Sequence, residues 1–217
     1  MLQLKRGVLI AIEGIDGSGK STLAKNLSRS FTTKQLPTML TKEPGGTPLG
    51  QQLRAIVEES MVSLQPKAEY LLFAADRAQH FSEVIIPQLQ KNMLIISDRL
   101  ADSSSAYQGY GRGLNLTMIQ TINAWVMQNR QPDLVIYIKI PVTIALERVK
   151  KRKKLTSFEQ EKLSFTQRVA GGFDTLYKDK KNVIIIDGMQ SSSIITKQAI
   201  QAIETWINQQ QLIKDSS

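Results

Sequence analysis

Cysteine is absent from this 217-residue chain, and histidine occurs only once, at His80. Disulfides, thiolate metal centres and multi-histidine metal sites are thereby excluded. Long apolar runs are missing too. Stretches such as LVIYI fall far short of the roughly 20 residues that a membrane-spanning helix needs. The opening MLQLKRGVLIAIEG contains an apolar run, but it enters a glycine-rich loop and not a small-residue cleavage site. It therefore reads as a buried strand and not as a signal peptide. No internal repeat or low-complexity tract is visible. What remains is 41% hydrophobic and 22% charged, an ordinary globular composition. Residues 1–217 fit one domain with a sizeable core and an inserted flap. A cytoplasmic enzyme without a membrane partner is the expectation.

The net charge of +9 raises the question of a nucleic-acid partner. Its distribution argues against one. RVKKRKK, from Arg148 to Lys154, carries six positive charges and no negative one, leaving +3 for the rest of the chain. The excess is local, either a solvated helix end or a phosphate-binding flap. It contains no aromatic on which a base would stack.

Short β-branched runs alternate with longer amphipathic ones, the pattern of a parallel sheet covered on both faces. Strands are expected at 7–13, 37–41, 93–97, 133–140 and 182–187. Helices are expected at 20–30, at 48–59 after a Thr47 cap and first-turn Pro48, from Pro66 onward, and at 117–128, 142–151, 159–176 and 192–210. The predicted architecture is a three-layer α/β/α fold of the P-loop NTPase type. It has a five-stranded parallel sheet and a mobile flap at about 148–160.

The sharpest local signal is GIDGSGKS, Gly14 to Ser21, which has the form G-x-x-x-x-G-K-[ST] between a predicted strand and a predicted helix. In that setting backbone N–H groups and the helix N-terminus wrap phosphate oxygens. Gly14, Gly17 and Gly19 let the backbone come close, with Ile15, Asp16, Ser18 and Thr22 completing the ATP loop. Lys20 reaches the β/γ-phosphates, and the Ser21 hydroxyl is a Mg²⁺ ligand. MLIISDR ends a buried strand on Asp98, which is expected to hold the same Mg²⁺. The oddity is Asp16, a carboxylate inside an anion cradle. At ~4 Å from a phosphate charge, repulsion is about 1 kcal/mol in water and about 4 near a protein surface.

EGIDGSGKST, KEPGGTPLGQQLR, YLLFAADR, SDR with DSSSAYQGYGRG, and RVKKRKKL…FEQE follow one another in this order. Together they resemble the bacterial thymidylate kinases over nearly the whole chain. That resemblance implies transfer of the γ-phosphate of ATP to dTMP with Mg²⁺, toward dTTP, in a homodimer. It implies that Arg54 and Arg99 clamp the acceptor's 5′-phosphate and that Phe73 stacks on thymine. Arg77 would bond the base's O4, Ser104 and Gln108 would line its other edge, and Tyr107 would crowd a 2′-hydroxyl. Asp16 would face the 3′-hydroxyl.

The family's extra arginine lies either in the phosphate loop or in the flap. The variable loop positions here carry no base, so Arg148 and Arg152 are the implied catalytic charges beside Lys20 and Arg99. Glu159 and Glu161 read equally as flap orienters or solvated helix charges. Two departures stand out. Leu100 follows Asp-Arg where the family has an aromatic or histidine, and Lys42 precedes EPGG where arginine is frequent. Deoxynucleoside kinases, uridylate or cytidylate kinases and a non-catalytic nucleotide-binding module are the competing readings.

Overall fold

Alternation along the first strand sets the layering. In β1 (Val8–Glu13), Val8, Ile10 and Ile12 point to one face of the sheet, and Leu9 and Ala11 to the other. All five are fully buried, so both faces must be covered by helices. The computed structural model describes residues 2–59, 63–150 and 159–214. Arg152 and most of the expected flap lie outside the described residues.

From the phosphate loop the chain enters α1 (Lys20–Thr33) and returns through β2 (Thr38–Lys42). Next come α2 (Pro48–Glu59) and α3 (Pro66–His80), then a π-helical turn (Phe81–Ile85) and the short α4 (Ile86–Gln90) before β3 (Leu94–Asp98). The short α5 (Ala101–Ser104) runs into a second π-helical stretch (Ser105–Gly111). Then follow α6 (Leu116–Val126), β4 (Leu134–Lys139), α7 (Val142–Lys150), α8 (Glu159–Tyr177), β5 (Val183–Asp187) and α9 (Ser192–Gln209). The five strands are parallel in the order β2-β3-β1-β4-β5.

One core lies between the sheet and helices α1 and α9, with Leu23, Leu27 and Phe31 opposite Ala199 and Ile203. The other lies under the first π-helical turn and α8, where Phe81, Ile85 and Phe173 meet Leu9, Ile95 and Tyr137. β1 stands centrally, so the loop after it opens between neighbouring strands at their carboxyl ends, where ligands of such sheets bind.

All five strands and every expected helix are present within a few residues. Thr47 caps α2 as its sequence position suggested, its Oγ1 accepting from Gly50 N at 3.0 Å. The two π-helical stretches were not anticipated. The first precedes Pro87, whose missing N–H an ordinary α-turn accommodates poorly. The second carries Tyr107 and Gln108. No helix among the described residues is long and apolar enough to cross a membrane.

Candidate active site

Three glycines shape the phosphate loop, with φ of 144° at Gly14, 85° at Gly17 and 101° at Gly19. Such backbone is open to glycine at little cost. A Cβ on Gly17 would also sit 2.4 Å from the Ala145 carbonyl oxygen, which locks the loop against α7. Ile15 is buried and turns its carbonyl inward, where it accepts from Lys20 Nζ at 2.8 Å. Burial, with Arg99 adding to it, pushes the Lys20 ammonium down to about 7 against the pull of Asp16, Asp98 and Glu13. Anionic phosphate there would favour its charged form.

Ser21 Oγ donates to Asp98 Oδ2 at 2.5 Å. The other oxygen of Asp98 is buried with no hydrogen-bond partner. A hydroxyl beside an unsatisfied carboxylate oxygen is a donor set that fits Mg²⁺ shared with substrate phosphates. Among the described residues no group of three or more His, Cys, Asp or Glu stands ready as an all-protein cage.

Arg99 follows directly, with a left-handed backbone (φ 74°) of the kind that strains a side-chain-bearing residue by roughly 1–3 kcal/mol. Its neighbours hold it there. Arg99 N donates to Ile12 O at 3.0 Å, and Ser97 Oγ donates to Arg99 O at 2.7 Å. Glu13 Oε1 accepts from Leu100 N at 2.8 Å, and Glu13 Oε2 from Ser103 Oγ at 2.6 Å. The guanidinium thus reaches Asp16 Oδ1 at 2.5 Å, Ser103 Oγ at 3.0 Å and Tyr107 Oη at 3.3 Å. It also lies 5.0 Å from the centre of the Tyr107 ring.

This pairing answers the puzzle of the acid in the anion cradle. Loss of surrounding water would raise the Asp16 carboxyl, but the charges of Arg99 and Lys20 outweigh that and hold it below the ordinary value. Its backbone N–H donates to Tyr107 Oη at 3.0 Å. Asp16 is part of a charge-compensated junction.

Two cavities meet at that junction. One, of about 380 Å³, is lined by Gly17, Gly19, Lys20, Ser21, Thr22, Lys42, Arg54 and Asp98. The second, about 340 Å³, is lined by Phe73, Arg77, Ser104, Tyr107 and Gln108, with Glu69, Leu100, Arg112 and Phe165 at its margins. Asp16, Glu43, Pro44 and Arg99 line both. The sequence-derived acceptor residues therefore converge, Arg54 on the phosphate-loop side and the others around the second cavity. Gly14, Ile15 and Ser18 form the loop's frame and do not line either cavity. Arg148 reaches the loop, donating to Gly188 O at 3.2 Å and to Gly17 O at 3.5 Å. Arg152, and the side chains of Glu159 and Glu161, lie outside the described residues.

Sequence reasoning missed the residues that hold these groups. Arg77 is fully buried, donating through Nε to Glu43 at 2.8 Å, through Nη1 to Asn123 at 2.7 Å and through Nη2 to Ser104 at 3.0 Å. Glu69 accepts from Gln108 Nε2 at 2.8 Å and from Arg112 Nη2 at 3.1 Å. His80, read only as too solitary for a metal site, bonds Glu43. Glu13 and Glu43 stood inside the quoted motifs, IEG and EPGGT, and motif membership was the one available signal. Leu100, the departure from the family pattern, is buried in the second core while its N–H serves Glu13.

The family model for thymidylate kinase matches residues 12–200. A thymidylate kinase of Carboxydothermus hydrogenoformans is 44% identical over 183 residues, 84% of this chain and 90% of that protein. One from Kosmotoga olearia is 40% identical over 195 residues, covering 89% and 94%. One from Halothermothrix orenii is 37% identical over 202 residues, covering 92% and 97%.

Proposed function

The chain belongs to the thymidylate kinase family and is a dTMP kinase; from that premise we propose that ATP is the phosphoryl donor, with Mg²⁺, and that dTDP and ADP are the products. The observation that carries this reading is the pair of cavities joined at Asp16, Glu43, Pro44 and Arg99. One has the donor set of a triphosphate site. The other is a pocket lined by an aromatic ring, Phe73, and by a buried, donor-only side chain, Arg77.

An oxygen of the acceptor's 5′-phosphate bonds to the γ-phosphorus as the bond from that phosphorus to the β,γ-bridging oxygen breaks, and ADP leaves with the electron pair. The protein's work is alignment and charge neutralisation. The loop N–H groups and Lys20 bind the donor phosphates, while Arg54 and Arg99 hold the acceptor phosphate in line. Ser21 and Asp98 would hold Mg²⁺, which would neutralise phosphate charge. Asp16 accepts from the 3′-hydroxyl, Phe73 stacks on thymine, Ser104 and Gln108 line its edge, and Tyr107 excludes a 2′-hydroxyl.

Arg148 and Arg152 supply positive charge at the transferred group. Closure of the segment that bears them excludes water. A cytoplasmic homodimer completes the proposal. Its support is apolar exposure on three neighbouring helices, Leu49 and Ile56 of α2, Leu71 of α3, and Met118 and Trp125 of α6.

A coupled ADP-release assay across dTMP, 3′-deoxy-dTMP, dUMP, UMP, dCMP and thymidine tests the reading. dTMP should be the best acceptor and thymidine inert, because a nucleoside leaves Arg54 and Arg99 without an anion. Equal use of dTMP and its 3′-deoxy analogue would remove the Asp16 role. A better acceptor than dTMP would overturn the whole assignment. In the same assay Arg152→Ala should lower turnover far more than it raises the dTMP KM; near-normal turnover would move the catalytic charge elsewhere.

A further inference from the structure

Glu43 sits at the border of both cavities, is fully buried, and belongs to neither the reacting groups nor the phosphate clamp. Its two oxygens are spent on different partners. Oε2 accepts from Arg77 Nε at 2.8 Å, and Oε1 accepts from His80 Nδ1 at 3.0 Å. The opposite ring nitrogen of His80 lies 2.6 Å from Thr41 Oγ1. The imidazole is completely enclosed, and a Cβ added to Gly46 would come within 2.6 Å of its Cδ2. His80 has no room to turn, so neither has Glu43. Burial alone would raise the Glu43 carboxyl, but Arg77 and His80 hold it below the ordinary value.

Arg77 is gripped at three corners of its fork, by Glu43 from the loop after β2, by Ser104 from α5 and by Asn123 from α6. Asn123 Oδ1 is itself fixed by Tyr70 Oη at 3.2 Å. Guanidinium carries five N–H groups and accepts nothing. Three N–H groups are committed to these partners, and Arg77 lines the acceptor cavity. Held rigidly, it demands an acceptor there and opposes an amino group.

We propose that Glu43, braced by His80 and Thr41, is a specificity-positioning residue: it fixes Arg77 as a donor-only reader and so makes the pocket prefer a 4-oxo pyrimidine over a 4-amino one. This rests on the acceptor-site reading above, and adds the Thr41–His80–Glu43 brace that enforces it. Within the brace Glu43 bonds Arg77 at Nε and His80 at Nδ1. Removal of the brace should therefore alter acceptor choice more than phosphoryl transfer.

The test is Glu43→Gln, which keeps shape and can still accept from Arg77 while offering an N–H to His80. Steady-state kinetics with dTMP and dCMP should show the dTMP KM raised about 10-fold, the difference between a charge-assisted hydrogen bond and a neutral one. The ratio of kcat/KM for dTMP over dCMP should fall at least severalfold. Turnover at saturation and the KM for ATP should stay near wild type, while the Tm falls because buried Arg77 loses its counter-charge.

An unchanged dTMP:dCMP ratio overturns the proposal. So does a parallel loss of kcat and of both affinities, which would mark Glu43 as a merely structural residue. Should Glu43→Gln not fold, Thr41→Val decides. It removes only the far end of the brace and should shift the same ratio in the same direction by about fivefold; wild-type behaviour there overturns the proposal equally. A wild-type enzyme indifferent between dTMP and dCMP would instead overturn the acceptor reading, and the inference with it.

Discussion

Glu13 ends β1 as a fully buried carboxyl group. Burial, reinforced by Asp102, raises its pKa to about 7, although Ser103, Arg99 and the Leu100 N–H pull the other way. The sign of the stability effect follows. Between the ordinary value of 4.5 and about 7 the folded protein keeps a proton that the unfolded chain releases. Stability from this group is therefore full below pH 4.5 and is lost as pH rises to about 7. Glu13→Gln cannot ionise, so its stability relative to wild type should improve by up to about 3 kcal/mol on going from pH 4.5 to pH 8. Urea unfolding of both proteins at the two pH values checks this, and a constant difference would contradict it. The carboxylate's place under a strained Arg99 gives a reason to keep it: two hydrogen bonds hold Leu100 and Ser103, and with them the backbone that aims the guanidinium.

At the scale of elements, α2 and α3 lock together through a glycine. A Cβ on Gly50 would lie 2.1 Å from Asp76 Oδ1, which is occupied in accepting from Gly45 N at 3.0 Å. Helix propensity alone favours alanine by about 1 kcal/mol. Here the clash falls on a buried carboxylate that holds the EPGG loop, so Gly50→Ala should destabilise by about 1–3 kcal/mol. Because the loop also carries Pro44, whose carbonyl accepts from Arg54 Nη1 at 3.3 Å, the acceptor affinity should weaken with it. Chemical denaturation and a dTMP titration read the two effects; a variant as stable as wild type would mean that α2 moves away freely. The π-helical stretch Ser105–Gly111 is the other decisive element. It meets α8 at glycines, a Cβ on Gly111 falling 2.7 Å from Phe165 and one on Gly172 falling 2.7 Å from Tyr110. Through this close approach α8 brings Phe165 to the margin of the acceptor cavity.

Over the whole molecule, charge and apolar exposure are both unevenly placed. Of the formal +9, six charges lie between Arg148 and Lys154, and Arg148 touches the phosphate loop. Half of the exposed large apolar side chains among the described residues lie on the helices α2, α3 and α6, where Trp125 is 78% exposed. Met118 and Trp125 lie seven residues apart, and so do Leu49 and Ile56, which puts each pair on one stripe of its helix. These stripes are the surface on which the proposed homodimer rests. Light scattering should give twice the chain mass for the wild type and a shift toward the monomer for Trp125→Glu. A monomeric wild type would remove the homodimer from the proposal.

The sequence by itself determined the sheet, the phosphate loop and the list of groups proposed to meet substrate. Their signals are local: a two-residue alternation in β1, a glycine spacing around Lys20, and short motifs such as EPGGT and YLLFAADR. It also placed the strands and all the longer helices, because burial on a strand or helix face imposes a period that a linear chain displays. Only the tertiary structure decided who holds whom. Glu43 and Arg77 are 34 residues apart, Arg77 and Asn123 are 46 apart, and Glu13 and Leu100 are 87 apart. No period connects such pairs. They meet because parallel crossovers bring strand ends and helix starts to one edge of the sheet, where a buried charge must find its partners across the fold.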